Sequence, residues 1–288
     1  MSSVRLGRTG WKDLTAIFES REEFETDLGL KGRVAIVTGS SQGIGKAIAL
    51  GLAQEGALLT ICARTERRLV ETAKEIESSF RTQVLALRTD LAKRNDLRRL
   101  VKETEGRFGG IDILVNNTGG PPTAPFMKIS EEDWRQATDS LLMSVVFLCL
   151  EVIPHMQKRH WGRIINMTSI AAKQPVENFV LSNSLRAGIL GLSKTLSNEL
   201  ARDNILVNSV CPGWTWTSRT DELAKEQSLK TGAPYEQVVR EWEKEIPLGR
   251  LAQPREIADL VVFLSSERAS YLTGATLQVD GGWVKAML

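Results

Sequence analysis

The 288-residue chain is 42% hydrophobic and 25% charged, the balance of a soluble globular protein with one large core. Its 37 Lys and Arg stand against 35 Asp and Glu, a net charge of +2, with no basic run dense enough for a nucleic-acid or anionic-membrane footprint. Small molecules and other subunits are therefore the expected partners. The most apolar run, Leu141 to Ile153, is thirteen residues and carries Glu151. That is short of the roughly 20 residues that span a bilayer, and no signal-peptide pattern opens the chain. Cys62, Cys149 and Cys211 are odd in number, lack metal or redox spacing and sit in apolar surroundings. They read as buried free thiols of a reducing compartment, so a cytoplasmic protein is expected.

Residues 1–28 precede the alternating part of the chain and place Trp11, Phe18 and Phe24 among polar neighbours, as expected of an arm packed on the body or on another subunit. From Arg33 the pattern alternates: "RVAIVT", a helix from Gly43 to Gln54, "ALLTICA", a charged helix from Glu66, then "QVLALRTD" and a helix from Asn95 to Phe108. It continues through "DILVNN", a helix from Glu131 to Lys158, "GRIINMTS", a helix from about Ser182 to Arg202, and "ILVNSVCP". A helix around Arg255 to Ser265 and the strand "ATLQVDGG" close the series. Near-continuous apolar strands separated by helices predict an α/β domain over 29–288, a doubly wound parallel sheet of about seven strands with helices on both faces. Ligands of such sheets bind beyond the carboxyl ends of the strands. One segment stands apart, the polar and helix-prone stretch Thr217 to Pro247, a candidate lid at that edge.

Directly after the first strand comes "TGSSQGIG", with Gly39, Gly43 and Gly45 before a helix. Glycines at these positions permit a tight turn and close approach of backbone to a pyrophosphate, whose charge sits at the helix N-terminus. Ser41, Gln42 and Ile44 share that loop. Further motifs follow in order: Asp90-Leu91, Asn116-Asn117-Thr118-Gly119, the strand running into Ser169, Pro212-Gly213 with Thr217, and "VDGG" at 279–282.

Together these motifs make the chain resemble the short-chain dehydrogenase/reductase family from about Leu28 to Trp283, with a general look similar to its 3-oxoacyl-carrier-protein reductase-like members. The resemblance implies a Rossmann-like fold, with Asp90 and Leu91 flanking the adenine and Asn116 to Gly119 lining the nicotinamide side. By the same resemblance Pro212, Gly213 and Thr217 surround the carboxamide. At the end of the second strand, members of the fold that prefer NAD carry an acidic residue for the ribose 2′-hydroxyl, whereas a nearby Arg accommodates a 2′-phosphate. Here Ala63 is followed by Arg64, which favours NADP(H) over NAD(H).

Reduction of a carbonyl leaves an oxyanion, which needs hydrogen-bond donors and a proton source. The family supplies them with a Ser after one strand, a Tyr thirteen residues on, a Lys four beyond it, and an Asn on the preceding long helix. Transferred to this chain, these positions hold Ser169, Ser182, Arg186 and Leu141. Only Tyr235 and Tyr271 exist as tyrosines; the first lies in the polar insertion and the second reads as structural. Lys194 lies too far along its helix to replace the lysine. Lys173 and Glu177 read as solvated loop charges, and His155 and His160 fall at the amino end of a strand, opposite the expected site. Ser182 can donate a hydrogen bond but supplies a proton poorly, while Arg186 keeps a positive charge able to donate to ribose hydroxyls or to polarise an oxyanion.

Two readings result. One is an NADP(H)-dependent oxidoreductase of a carbonyl or secondary alcohol with Ser169, Ser182 and Arg186 as a rearranged polar centre. The alternative is a catalytically silent NADP(H)-binding pseudoenzyme or sensor subunit. Family likeness of the long helices implies a homo-oligomer, a tetramer or a dimer.

Overall fold

The computed structural model describes residues 27–287, so Trp11, Phe18 and Phe24 of the expected arm lie outside the described residues. Seven parallel strands form one sheet in the order β3-β2-β1-β4-β5-β6-β7. They are β1 (Val34–Thr38), β2 (Leu58–Ala63), β3 (Val84–Arg88), β4 (Ile113–Asn116), β5 (Gly162–Met167), β6 (Ile205–Pro212) and β7 (Thr276–Val279). Every residue of β1, β4, β5 and β6 is buried, which is why these runs read as continuous apolar stretches and not as alternation. Chain order reverses between β1 and β4, so the crevice beyond their carboxyl ends is the switch point at which such sheets take ligands.

Helices cover both faces. α1 (Gly43–Gln54) packs with α9 (Pro254–Ser265) on one face, burying Ile48, Leu52, Ile257 and Val261 against Leu59 and Ile113 in one core. On the other, α3 (Arg94–Phe108) meets α5 (Ser144–Arg159), and α6 (Val180–Leu200) lies along β6; Leu97, Leu148, Val152 and Ile189 bury there with Ile36 and Ile164. α2 (Glu66–Phe80) stops at Arg81, whose left-handed φ of 52° breaks the ladder, and α3 stops at Gly109 at φ 77°, a conformation glycine adopts without strain.

The helix expected over Glu131 to Lys158 is three pieces: α4 (Glu131–Ala137), a π turn at Thr138–Met143, and α5. Ser130 caps α4, accepting from the Asp133 N–H while Asp133 bonds back to the Ser130 N–H. Widening at the π turn coincides with two hydroxyls that bond back four residues, Ser140 to the Gln136 carbonyl at 2.8 Å and Ser144 to that of Ser140 at 2.7 Å. The continuous run Glu131–Arg159 is long and apolar enough by length and composition to cross a membrane. In this fold Val145, Leu148, Val152 and Met156 on it are core residues.

Residues 217–247 fold as α7 (Ser218–Thr231) and α8 (Tyr235–Glu245). They enclose a separate small core in which Trp214 and Trp242 stack at 4.4 Å and 12°. Tyr235 belongs to this core and donates to Asp221 Oδ1 at 3.0 Å. Tyr271, expected to be structural, is fully exposed in the turn before β7.

All three cysteines are free and buried. Burial pushes the Cys62 and Cys149 thiols up to about 12 and raises Cys211 as well, leaving on the order of 10³-fold less thiolate at neutral pH for the first two. A chromogenic disulfide reagent at pH 8 should therefore titrate three thiols in denaturant and essentially none in the native protein. A rapidly reacting native thiol would mean that one of these sites is open.

Candidate active site

The carboxyl ends of β1, β4, β5 and β6 open into one cavity of about 560 Å³. Its floor starts at the glycine-rich loop. Gly39 and Gly43 have φ of 59° and 58°, in the left-handed region that glycine enters freely. A Cβ on Gly45 would lie 2.3 Å from the Gly39 carbonyl oxygen, so only glycine lets α1 begin this close to the strand. Asn117 locks the loop to the next strand, its Nδ2 donating to the Thr38 and Gly39 carbonyls at 3.1 Å each. Thr38 Oγ1 donates in return to the Asn117 carbonyl at 2.8 Å.

All but one of the residues expected at the site line this cavity: Gly39, Ser41, Gln42, Gly43, Ile44 and Gly45 from the first loop, Arg64 after β2, Asp90 and Leu91 after β3, and Asn117, Thr118 and Gly119 after β4. Ser169, Ser182 and Arg186 line it from β5 and α6, and Pro212, Gly213 and Thr217 from the end of β6. Asn116 is the exception among the implied positions. As the last residue of β4 it turns to the opposite face, where its Nδ2 donates to Asn166 Oδ1 at 2.8 Å inside the core. Tyr235, Lys173, Glu177, His155 and His160 do not line the cavity. Lys194 points elsewhere too, its Nζ 3.4 Å from the Gly274 carbonyl.

Arg186 differs from expectation in what it touches. Its Nη1 donates to the Met167 and Thr168 carbonyls, both at 3.0 Å, and its Nη2 to the Gly119 carbonyl at 3.2 Å. The guanidinium thus ties α6 to the end of β5 and the loop after β4, and a single buried Nε–H is left without a partner. Burial pushes its pKa down to about 10, so it remains cationic at neutral pH. Ser169 Oγ accepts from the Ala171 N–H at 3.1 Å, which leaves its own hydroxyl hydrogen free. Ser182 is 4% exposed, and Leu141 lies on the same wall, 2% exposed.

Several lining residues were not foreseen. Asp133, Gln136 and Ser140 come from α4 and the π turn, Phe179 from the loop before α6, and Arg219 and Leu223 from α7. The Ser130 hydroxyl and backbone N–H hold Asp133 below the ordinary carboxylate range. Arg219 reaches across the cavity mouth to the Pro121 carbonyl at 2.9 Å, and Gln42 Nε2 donates to Ser218 Oγ at 2.8 Å; α7 is held to both loops. Beside Arg64 a second recess of about 370 Å³ is lined by Arg88, Lys93 and Arg99, with Thr89, Asp90 and Asp96. Arg88 ends β3, in register with Ala63.

The cradle fits a dinucleotide. Beyond the glycines just described, nothing stands within 4 Å of where a Gly119 Cβ would be, and Thr118 Oγ1 and Arg186 Nε are buried polar atoms with no protein partner. Strand order, switch-point cavity and glycine-rich turn define a dinucleotide-binding α/β protein. A family model described as Enoyl-(Acyl carrier protein) reductase matches residues 39–284. The chain is 34% identical over 256 residues to a 3-oxoacyl-[acyl-carrier-protein] reductase, FabG, of Aquifex aeolicus, covering 89% of this chain and 99% of that one. Among solved structures, L-sorbose reductase from Gluconobacter frateurii, complexed with NADPH and L-sorbose, has a TM-score of 0.87 and 38% identity over 91% of this chain and 100% of its own. YwfH, an NADPH-dependent reductase involved in bacilysin biosynthesis, has a TM-score of 0.85 and 30% identity over 88% and 99% of the two chains. The chain belongs to the short-chain dehydrogenase/reductase family.

Proposed function

We propose that the protein is an NADP(H)-dependent oxidoreductase acting on a carbonyl or secondary alcohol, through a centre of Ser169, Ser182 and Arg186. The observation that carries this reading is that the glycine-rich cradle, Arg64 and those three polar residues line one cavity. Bound there, the nicotinamide would supply or accept hydride. Gly39 to Gly45 and the α1 N-terminus would hold its pyrophosphate, Thr118 and Gly119 the nicotinamide half, and Pro212, Gly213 and Thr217 the carboxamide. Asp90 and Leu91 would flank the adenine. Arg64, Arg88 and Lys93 enter no ion pair among the described residues, and their charge supports a 2′-phosphate at this end. L-sorbose reductase and YwfH are NADPH proteins by their own descriptions, which points the same way.

At the reacting end, Ser169 and Ser182 donate hydrogen bonds to the substrate oxygen and Arg186 supplies positive charge beneath them. Arg186 acts chiefly by position, holding the Gly119 loop and the end of β5 in register. α7 and α8 act as a lid over the substrate. By family likeness the protein is a cytoplasmic homo-oligomer, a tetramer or a dimer, and light scattering after size exclusion reads its state. The silent nucleotide-binding reading draws on one observation, that most of the Arg186 donors are already engaged by backbone carbonyls.

NADPH oxidation with a panel of carbonyl compounds tests both readings. Turnover that falls on Ser169→Ala supports the enzyme; tight NADPH binding without any turnover supports the silent one. Arg64→Asp is expected to lower kcat/KM for NADPH relative to NADH by roughly 10- to 100-fold, the range of one or two charge-assisted hydrogen bonds. An unchanged ratio would place the phosphate contact elsewhere.

A further inference from the structure

A relay of three side chains joins the glycine-rich loop to the lid at the rim of the cavity. Arg68, in the first turn of α2, donates through Nη1 to Gln42 Oε1, and Gln42 Nε2 donates in turn to Ser218 Oγ at 2.8 Å. Ser218 opens α7, next to its N-cap Thr217. All three residues line the cavity and all three are exposed, so the relay belongs to the mouth and not to the floor. Gln42 immediately precedes the α1 N-terminus, where the pyrophosphate would sit. A bond from there to Ser218 closes one side of the groove that the cofactor must enter.

The cation at the head of this relay is also placed to meet an anion. Arg68 makes no ion pair and no other hydrogen bond among the described residues, and it lies four positions after Arg64, with both lining the adenine end. A phosphate beside them is a better acceptor than a neutral amide oxygen, since a bond between two ions is roughly twice as strong. Once Arg68 turns to it, Gln42 loses the cation that polarises its amide, and its donation to Ser218 weakens. The loop itself stays in place, because Thr72 Oγ1 donates to the Ser41 carbonyl at 3.3 Å and Lys46 pairs with Glu75 at 2.6 Å. What loosens is the hold on α7, which keeps its tie from Arg219 to the Pro121 carbonyl.

Resting on the NADP(H)-dependent oxidoreductase reading and adding to it how the cofactor is admitted, we propose that Arg68, Gln42 and Ser218 form a gate that the cofactor's 2′-phosphate releases. Before the cofactor binds, the relay holds α7 against the glycine-rich loop and narrows the entry to the groove. NADPH carries the group that draws Arg68 away and loosens the gate as it enters. NADH has a hydroxyl there and meets the gate closed. A ligand shifts such an equilibrium only through a group that interacts differently with its two states, and the 2′-phosphate is that group. Arg64 thus discriminates between the cofactors by contact, and the relay by rate.

The test measures cofactor association with the full chain and no substrate, by stopped flow on energy transfer from the protein's tryptophans to the reduced nicotinamide. The wild-type protein should associate faster with NADPH than with NADH. Ser218→Ala removes the last hydroxyl of the relay without changing any charge, and should speed NADH association roughly 3- to 10-fold, the range of one neutral hydrogen bond. NADPH association should stay nearly as it was. Ser218→Thr keeps the hydroxyl and should restore the wild-type ratio. Steering by charge also favours NADPH, but it is the same in the wild type and in both variants. Four results would overturn the gate and leave the oxidoreductase reading standing: equal association of the two cofactors in the wild type, an NADH rate untouched by Ser218→Ala, a ratio that narrows because NADPH slows, or a threonine variant that behaves like the alanine one. Failure of both cofactors to bind would overturn the gate and the reading together.

Discussion

Replacing Ser182 by Tyr and Arg186 by Lys together is expected to raise NADPH-dependent reduction of simple ketones by roughly 10²- to 10⁴-fold, the usual contribution of a positioned general acid. Ser182 is on the cavity wall, one helical turn before Arg186, so a tyrosine there would bring a phenol to the oxygen that Ser169 faces. A lysine in place of Arg186 would lower the phenol's pKa by its charge. The gain belongs to the pair. Ser182→Tyr alone would set the phenol above an arginine anchored to the Met167, Thr168 and Gly119 carbonyls. Initial rates of NADPH oxidation with cyclohexanone read the outcome, and no gain would mean that Ser182 is not where the substrate oxygen lies.

Removing Arg186 altogether should instead cost stability. Arg186→Met leaves the buried Met167 and Thr168 carbonyls and the Gly119 carbonyl without their charged donor, a loss of about 1.5–3 kcal/mol for each such bond. Against it stands the relief of burying a cation without a counter-ion: its pKa is pushed down to about 10 by burial, which corresponds to about 3 kcal/mol. The hydrogen bonds win, and the net destabilisation is about 2–5 kcal/mol. For a chain of this size that lowers Tm by roughly 5–15 °C, measurable by calorimetry. An equal or higher Tm would show that the three carbonyl contacts hold nothing together. NADP(H) affinity should fall as well, because the Gly119 loop loses its anchor to α6.

Most of the architecture was legible because it depends on local pattern. The buried parallel strands read as unbroken apolar runs, and the glycine-rich turn announces itself by residues that only a close backbone approach requires, such as Gly45 against the Gly39 carbonyl. Ser169, Ser182 and Arg186, placed by the family resemblance, line one cavity. What the sequence hid was contact across long separations. Asn116 looks like part of a loop motif, yet strand alternation sends it into the core toward Asn166, fifty residues away. The π turn at Thr138–Met143 has a helical pattern, and the hydroxyls of Ser140 and Ser144 that accompany its widening look like ordinary polar positions. Arg219 and Asp133 enter the cavity only because α7 and α4 fold over it. No local signal marks either.

The reach of Arg186 is the clearest case. Its charge was readable and its geometry was not, because three backbone carbonyls from two other segments decide it. Family pattern therefore describes the cradle better than it describes the chemistry of the reacting end.

Hydride transfer in this cavity is expected to run on donors and a cation, with no protein acid. The pH dependence of single-turnover NADPH oxidation, followed by stopped flow with a saturating carbonyl substrate from the panel between about pH 6 and 9, tests this directly. A rate that is level across that range is expected, since the Ser130 hydroxyl and N–H hold Asp133 below the ordinary carboxylate range and burial brings Arg186 down only to about 10. A rate falling tenfold per pH unit above a pKa within the range would instead reveal a general acid at the site.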